Sequence, residues 1–383
     1  MARVKIARPS DPDEMIQAKC LGVDIGTSNT KFVGWITGTD YRPFGFYPSR
    51  YAEVHENTTH QVLPAYDEQV KINGQWLVFK DAAKVYGVQD MKKLGYQQQY
   101  MTDIYRDLLS YTLWQAYGQW TETNGYSFIN PDIYLSLSVP VQLYTNASWL
   151  NGFANHISGF HEVTNVAGDT IRFNVLSEPQ LIQQASGISV YKNKHLKIIP
   201  DGYGAFYDYL DKGGDIDGTT IVLNIGMQTY DITVYRDGVF DPTANETTAL
   251  GGYHLAHALK AKYPSFDGMD VHQLDQVVKD GFIVRFGKKV DITSDIRKQL
   301  SMLAKMQASQ LASFIQFNRL TDTARILVFG GYGNMCFDEL QSNASVFGMK
   351  DKNSVQRIGQ EIDMYYANAV GSLGFAAKAS QAK

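Results

Sequence analysis

At 383 residues the chain is too long for one ordinary hydrophobic core, which points to two or more domains. With 44% hydrophobic and 19% charged residues it can bury enough surface to fold, and a net charge of −4 gives no general basic face for nucleic acid or an acidic membrane. Two cysteines, Cys20 and Cys336, exclude a disulfide framework or zinc cluster, and with no run near the roughly 20 apolar residues of a membrane span a cytoplasmic chain is expected.

Residues 1–19, interrupted by Pro9 and Pro12, read as a loose N-terminal extension. From Cys20, "LGVDIGTSNTKFVGW" (21–35) reads as strand, polar turn, strand. "DEQVKINGQWLVFKDAAKVYG" (67–87) reads as a hairpin closed by Asn73-Gly74, with a short helix at Asp81. An aromatic-rich helix is expected over 99–118, then a strand in "PDIYLSLSVPV" ending at Pro140. "DTIRFNVLSE" and "HLKIIP" read as strands, the second closed by Pro200, and "GAFYDYL" opens a helix. "GTTIVLNIGMQTYDITVYRDG" (218–238) repeats the strand-turn-strand plan of 21–35, the pattern of a duplicated domain. The clearest helix spans 294–316: Ile296, Leu300, Leu303, Leu311, Phe314 and Ile315 share its apolar face, and Ser294-Asp295 offers a cap. "ARILVFGGYGN" is a buried strand breaking at a double glycine, and a small-residue helix is expected around Ala367–Ala377.

Three turns hold the chemistry. In "DIGTSNTK" the amides of Gly26, Thr27, Ser28, Asn29 and Thr30 line a nest for phosphate oxygens, and the Thr27, Ser28 and Thr30 hydroxyls add donors. Lys31 follows as a point charge toward the same oxygens. Asp24 repels phosphate, so it calls for a cation between them; magnesium, held by few carboxylates plus phosphates, fits. Alone, this turn is equally an ordinary hairpin with a polar tip. "NIGMQTYD", with Gly226, Met227, Gln228 and Thr229, repeats its Ile-Gly turn, with Thr229 where the first has Asn29. "VFGGYGN", with Gly330, Gly331 and Tyr332, offers glycine backbone to a flat base. Together these make one nucleotide cleft between two domains. The pair His254 and His257 lacks a third ligand, and "FGKKV" reads as a solvated basic run.

The order of these segments resembles the actin-type ATPase superfamily, nearest to the ParM-like plasmid-segregation actins. "PDGYGAFYDYL" (200–210) and "ANAVGSLGFAAK" (367–378) resemble its interdomain connections, and "SVPVQLY" (138–144), "LGGYHL" (250–255) and "YANAVGSLGF" are similar in kind and order to the ParM-like group. The resemblance implies an α/β, actin-like (ribonuclease H-like) two-domain fold, each domain a mixed five-stranded sheet with flanking helices. Domain I is expected over 20–200, completed by the C-terminal helix 361–383, and domain II over 201–360. It further implies ATP (or GTP) with magnesium, nucleotide contacts reaching Gly251 and Gly252, and hydrolysis coupled to head-to-tail filament assembly. A DNA-binding adaptor would connect such a filament to a plasmid, without direct nucleic-acid or membrane binding by the chain itself. Asp201 falls where the family keeps a Glu or Gln that orients the attacking water, although an aspartate there also suits a helix cap. Asn224 stands where the family has Asp; it keeps an acceptor for a magnesium-bound water, beside Asp24, but loses the charge, so a slow ATPase is expected. A metabolic kinase or a non-filament ATPase on the same fold is the alternative.

Overall fold

The structure, a computed structural model, describes residues 19–26, 28–36, 44–54, 68–80, 82–83, 91–93, 99–124, 133–175, 180–183, 189–192, 195–266, 268–269, 271–358, 369 and 373. The expected N-terminal extension, except Lys19, and the helix start at Asp81 lie outside the described residues, as does all of the expected C-terminal helix except Ala369 and Leu373.

Two five-stranded sheets share one topology. In the first, β1 (Lys19–Ile25) pairs antiparallel with β2 (Asn29–Ile36), which pairs antiparallel with β3 (Phe44–Pro48). A separate six-stranded sheet holds β4 (Arg50–Glu53), β5 (Gln69–Ile72), β6 (Gln75–Phe79) and β7 (Met91–Lys93). Helix α1 (Asp103–Asn124) then leads to β8 (Ile133–Val139), which lies parallel to β1. Helices α2 (Val141–Tyr144) and α3 (Ala147–Ile157) follow, and β9 (Gly159–Asn165) with β10 (Thr170–Val175) complete the six-stranded sheet. A separate pair, β11 (Gln180–Gln183) and β12 (Ser189–Lys192), precedes β13 (Leu196–Pro200), parallel to β8.

The second half repeats the plan after α4 (Tyr203–Asp211). Strand β14 (Thr219–Ile225) pairs antiparallel with β15 (Tyr230–Arg236), and that with β16 (Val239–Thr248). Then come α5 (Gly252–Lys262), α6 (Val271–Asp280), the hairpin β17 (Phe282–Arg285) with β18 (Lys288–Asp291), and α7 (Thr293–Phe317). Strand β19 (Thr323–Phe329) lies parallel to β14; α8 (Gly331–Ser342) leads to β20 (Val355–Arg357), parallel to β19. The orders β13-β8-β1-β2-β3 and β20-β19-β14-β15-β16 are the same sheet built twice.

Period-2 alternation explains how each sheet is covered. Along β1, Leu21, Val23 and Ile25 enter one core, while Cys20 turns to the other face and packs with Val33, Ala369 and Leu373. Along β14, Ile221, Leu223 and Ile225 enter a second core, while Val222 faces Ala205 and Phe206 of α4. Gly22 makes the first covering possible: a Cβ there would lie 2.1 Å from the Ala369 carbonyl oxygen and 2.4 Å from the Leu373 nitrogen. Gly22→Ala is therefore expected to cost about 1–3 kcal/mol, read by thermal or denaturant unfolding. Unchanged stability would mean that the C-terminal backbone does not press on this strand.

The Asn73-Gly74 turn is as expected, with φ 51° and 84°. The cap of the long helix is not. Helix α7 begins at Thr293 with Ile292 in the cap position, and Asp291 accepts the Thr293 amide at 2.8 Å. Asp295 is instead engaged by Lys262 at 2.6 Å and by the Tyr263 hydroxyl.

Candidate nucleotide site

The turns of the two equivalent hairpins open on one cavity of ≈ 470 Å³. The first hairpin contributes Asp24, Gly26, Ser28, Asn29 and Lys31; the second contributes Asn224, Gly226, Met227, Gln228 and Thr229. Asp201 completes the wall, and Gly330, Gly331 and Tyr332 enter from the start of α8. Both turns close alike: the Gly26 amide donates to the Asn29 carbonyl at 3.1 Å, and the Gly226 amide donates to the Thr229 carbonyl at 2.9 Å. These two amides are thus spent inside the turns rather than offered to a ligand.

The side chains form an uneven charge set. Strand register sets Asp24 opposite Lys31 and Asn224 opposite Asp231. Lys31 Nζ bonds Asp24 Oδ2 at 2.9 Å, so the carboxylate and ammonium on either side of the first turn hold each other at the cavity wall. Asp231 is buried behind the second turn and accepts from Thr229 Oγ1 at 2.9 Å and Thr247 Oγ1 at 2.7 Å. Burial, then the charges of Asp24 and Asp231, push the Asp201 pKa well up, with Lys31 offsetting part of the rise. Burial likewise pushes Asp231 up to about 6 against its two threonine hydrogen bonds, with Asp24 adding to the rise. Around the two turns Asp24, Asp201 and Asp231 face one ammonium, Lys31, while Asp275 and Lys279 add one charge of each sign, and this excess of carboxylate fits a cation. Among the described residues no group of three or more His, Cys, Asp or Glu side chains is arranged to hold a metal by itself. Magnesium takes few protein ligands and completes its shell with water and phosphate.

Two polar atoms mark where a ligand belongs. Ser28 Oγ and Gln228 Oε1 are buried with no hydrogen-bond partner among the described residues, and both residues line the cavity at equivalent places in the two turns. Buried polar groups are normally paired, so these are positions for a ligand or ordered water.

Not every expected residue is here. Thr27 lies outside the described residues. The Thr30 hydroxyl is not a nest donor: strand alternation turns it from Lys31 into the interior, where it bonds Ser49 Oγ at 2.9 Å. Gly251 and Gly252 support the wall from behind. A Cβ on Gly251 would lie 2.5 Å from the Gln228 carbonyl carbon, and one on Gly252 would lie 2.2 Å from the Tyr332 ring. Sequence reasoning missed Tyr100, Gln142, Leu143, Thr247, Asp275 and Lys279, which also line the cavity. Asp275 accepts from the Tyr332 hydroxyl at 3.1 Å and from Lys279 at 2.6 Å, one turn further along α6. In the sequence that pair is indistinguishable from a solvated i,i+4 ion pair.

Asp231 gives the apoprotein a pH dependence. Its folded pKa lies above the ordinary 3.8, so the folded state holds this proton more tightly than the unfolded chain. Its stabilising contribution therefore falls as pH rises from about 4 through about 6. Relative to the native protein, Asp231→Asn is expected to gain about 1 kcal/mol of stability between pH 5 and pH 8, measured by unfolding without nucleotide. A difference independent of pH would contradict the assignment.

A duplicated five-stranded sheet with paired hairpin turns around one cavity defines an actin-type fold. Residues 22–187 match the family described as actin-like proteins, N-terminal domain. Similar solved structures span nearly the whole chain. The archaeal actin homologue Ta0583 is 16% identical, with a TM-score of 0.70 over 94% of this chain and 99% of its own. A 15-stranded ParM filament from Clostridium botulinum is 16% identical, with a TM-score of 0.66 over 95% and 100%. The actin-like protein Alp7A is 13% identical, with a TM-score of 0.68 over 94% and 97%. Ta0583 has also been solved in complex with ADP. No curated protein matches the sequence.

Proposed function

We propose that this chain binds and hydrolyses a nucleoside triphosphate, ATP or GTP, with magnesium, and that the bound nucleotide controls its assembly into head-to-tail filaments. The observation that supports this reading best is the pair of equivalent turns, each bringing a buried, unpartnered polar atom to the cavity that holds Lys31 and Asp201. Ser28 Oγ would donate to a phosphate oxygen, Gln228 Oε1 would accept from a water of the magnesium shell or a nucleotide hydroxyl, and Lys31 would be the point charge beside them. The glycine backbone at Gly330 and Gly331 would receive the base, beside Tyr332. Asp24, and Asn224 through water, would hold magnesium, which supplies charge neutralisation to the phosphates when bound. Asp201 would orient the attacking water and take its proton. The domains would divide as 20–200 with 361–383 and 201–360, closing on the nucleotide. The filament part rests on likeness to ParM; plasmid segregation through a DNA-binding adaptor, in the cytoplasm, is its most specific form. Among the described residues no helix is long and apolar enough to cross a membrane.

The test is titration of native protein and Lys31→Ala with a fluorescent ATP analogue and magnesium. Affinity is expected to fall about tenfold or more, the scale of one charge-assisted contact to phosphate. Equal affinities at low and moderate salt would remove Lys31 from the phosphate site. Light scattering of the native protein separates a filament from a non-filament ATPase.

A further inference from the structure

The hairpin of β17 and β18 carries its least protected residue at its tip. Phe286 is 99% exposed and sits at φ 48°, followed by Gly287 at φ 76°. Left-handed backbone at both turn positions favours Asn-Gly and disfavours a bulky aromatic. Hairpin formation alone therefore gives no reason for phenylalanine here. Val284 and Val290 are exposed beside it, and the register Val284↔Lys289 and Arg285↔Lys288 surrounds them with cations. Among the described residues none of Arg285, Lys288 and Lys289 is in an ion pair; Lys289 lies over the Phe282 ring at 4.2 Å.

A patch of the opposite sign lies at the other end of the same half of the molecule. The loops at 211–218 and 236–239 are joined by the Asp237 amide donating to the Gly218 carbonyl at 3.1 Å and the Gly218 amide donating to Asp237 Oδ1 at 2.9 Å. They expose Ile216 and Val239, at 46% and 69%, with Ile216 packed beside Gly238. Asp211, Asp217 and Asp237 are exposed on the same two loops. The nearby cations are already used: Lys212 pairs with Asp208, Arg236 with Asp241 and Arg325 with Asp215. Strand β14 separates this patch from the cavity by about 20 Å at a strand's rise per residue. The hairpin leaves from the cavity end, directly after α6, whose Asp275 and Lys279 line the cavity.

We propose that the 282–291 hairpin of one copy docks on the acidic apolar patch around Ile216 and Val239 of the next copy. Phe286 and Val284 would cover Ile216 and Val239, while Arg285, Lys288 and Lys289 face the carboxylates. The occupant is a second copy of this chain because the two surfaces match in both charge and apolar centre and lie at opposite ends of one molecule. A contact between different surfaces of identical copies is heterologous, and repeating it without closure builds a filament. This inference rests on the filament reading and names its contact.

The experiment is a sedimentation assay with ATP and magnesium on the native chain, on Lys288→Glu with Lys289→Glu, and on Asp211→Lys with Asp217→Lys. Each double variant is expected to keep native nucleotide affinity yet raise the critical concentration about tenfold or more, from like charges in contact. An equimolar mixture of the two variants is expected to recover assembly, since each reversed surface then meets its complement. Native-like assembly of either variant alone, or no recovery in the mixture, overturns the contact while leaving the filament reading intact. A native chain that binds nucleotide but never sediments overturns both. Loss of binding to phosphatidylserine vesicles on Lys288→Glu with Lys289→Glu, with assembly unchanged, would make the hairpin a membrane contact and overturn the proposal.

Discussion

Replacing Asp201 by asparagine is expected to slow phosphate release about a hundredfold while nucleotide affinity stays within a few-fold. Asp201 follows β13 directly, and its amide donates to the Val139 carbonyl at 2.7 Å. The next residue, Gly202, has φ 90° and passes so close to the second hairpin that a Cβ would lie 2.6 Å from Thr233 Oγ1. Gly202, rather than Asp201, occupies the cap position of α4. The Asp201 pKa is raised by burial and by Asp24 and Asp231, the direction a base working near neutrality requires. Asparagine keeps the shape and cannot accept a proton. Filaments of the variant should therefore outlast those of the native chain. Single-turnover hydrolysis at the native rate would leave Asp201 without a role in the chemistry.

The second large effect runs the other way. Asn224→Asp is expected to accelerate phosphate release, by up to about a hundredfold or ~3 kcal/mol, in saturating magnesium. Asn224 occupies in the second hairpin the place of Asp24 in the first, but its cross-strand partner is Asp231 where Asp24 has Lys31. A carboxylate at 224 would thus add charge at the cavity with no ammonium opposite it. The same substitution should lower the stability of the nucleotide-free protein at pH 8, because the new charge joins Asp201 and Asp231. An unchanged hydrolysis rate would mean that Asp201 alone manages the water, and a slower one that repulsion of the phosphate dominates at this position.

The repeated hairpins were legible because alternation and turn chemistry are local. Leu21, Val23 and Ile25 alternate with small or polar residues, and the Ile-Gly turn of Ile25-Gly26 recurs at Ile225-Gly226. The cavity followed from placing those turns face to face. Contacts that arise only from the three-dimensional path were hidden. Gly22 looks like an ordinary weak strand residue until the Ala369 backbone lies on it. Thr30 looked like a phosphate donor because the nest was read from backbone amides, whereas the turn ends at Asn29 and strand alternation governs from there. The Asp275–Lys279 pair has a surface-helix spacing, and only the path of α6 brings it to Tyr332 and the cavity. The run "FGKKV" gave no sign of its projection because a Phe-Gly turn is not a favoured hairpin signal.

A single time course tests the central claim most directly: native protein mixed with ATP and magnesium, with light scattering and released phosphate followed together. The expected record is scattering that rises on nucleotide addition, persists while phosphate appears slowly, and decays once ATP is exhausted, with ADP alone giving little polymer. Phosphate release with no rise in scattering at any protein concentration, or scattering indifferent to whether ATP or ADP is present, would contradict nucleotide-controlled assembly.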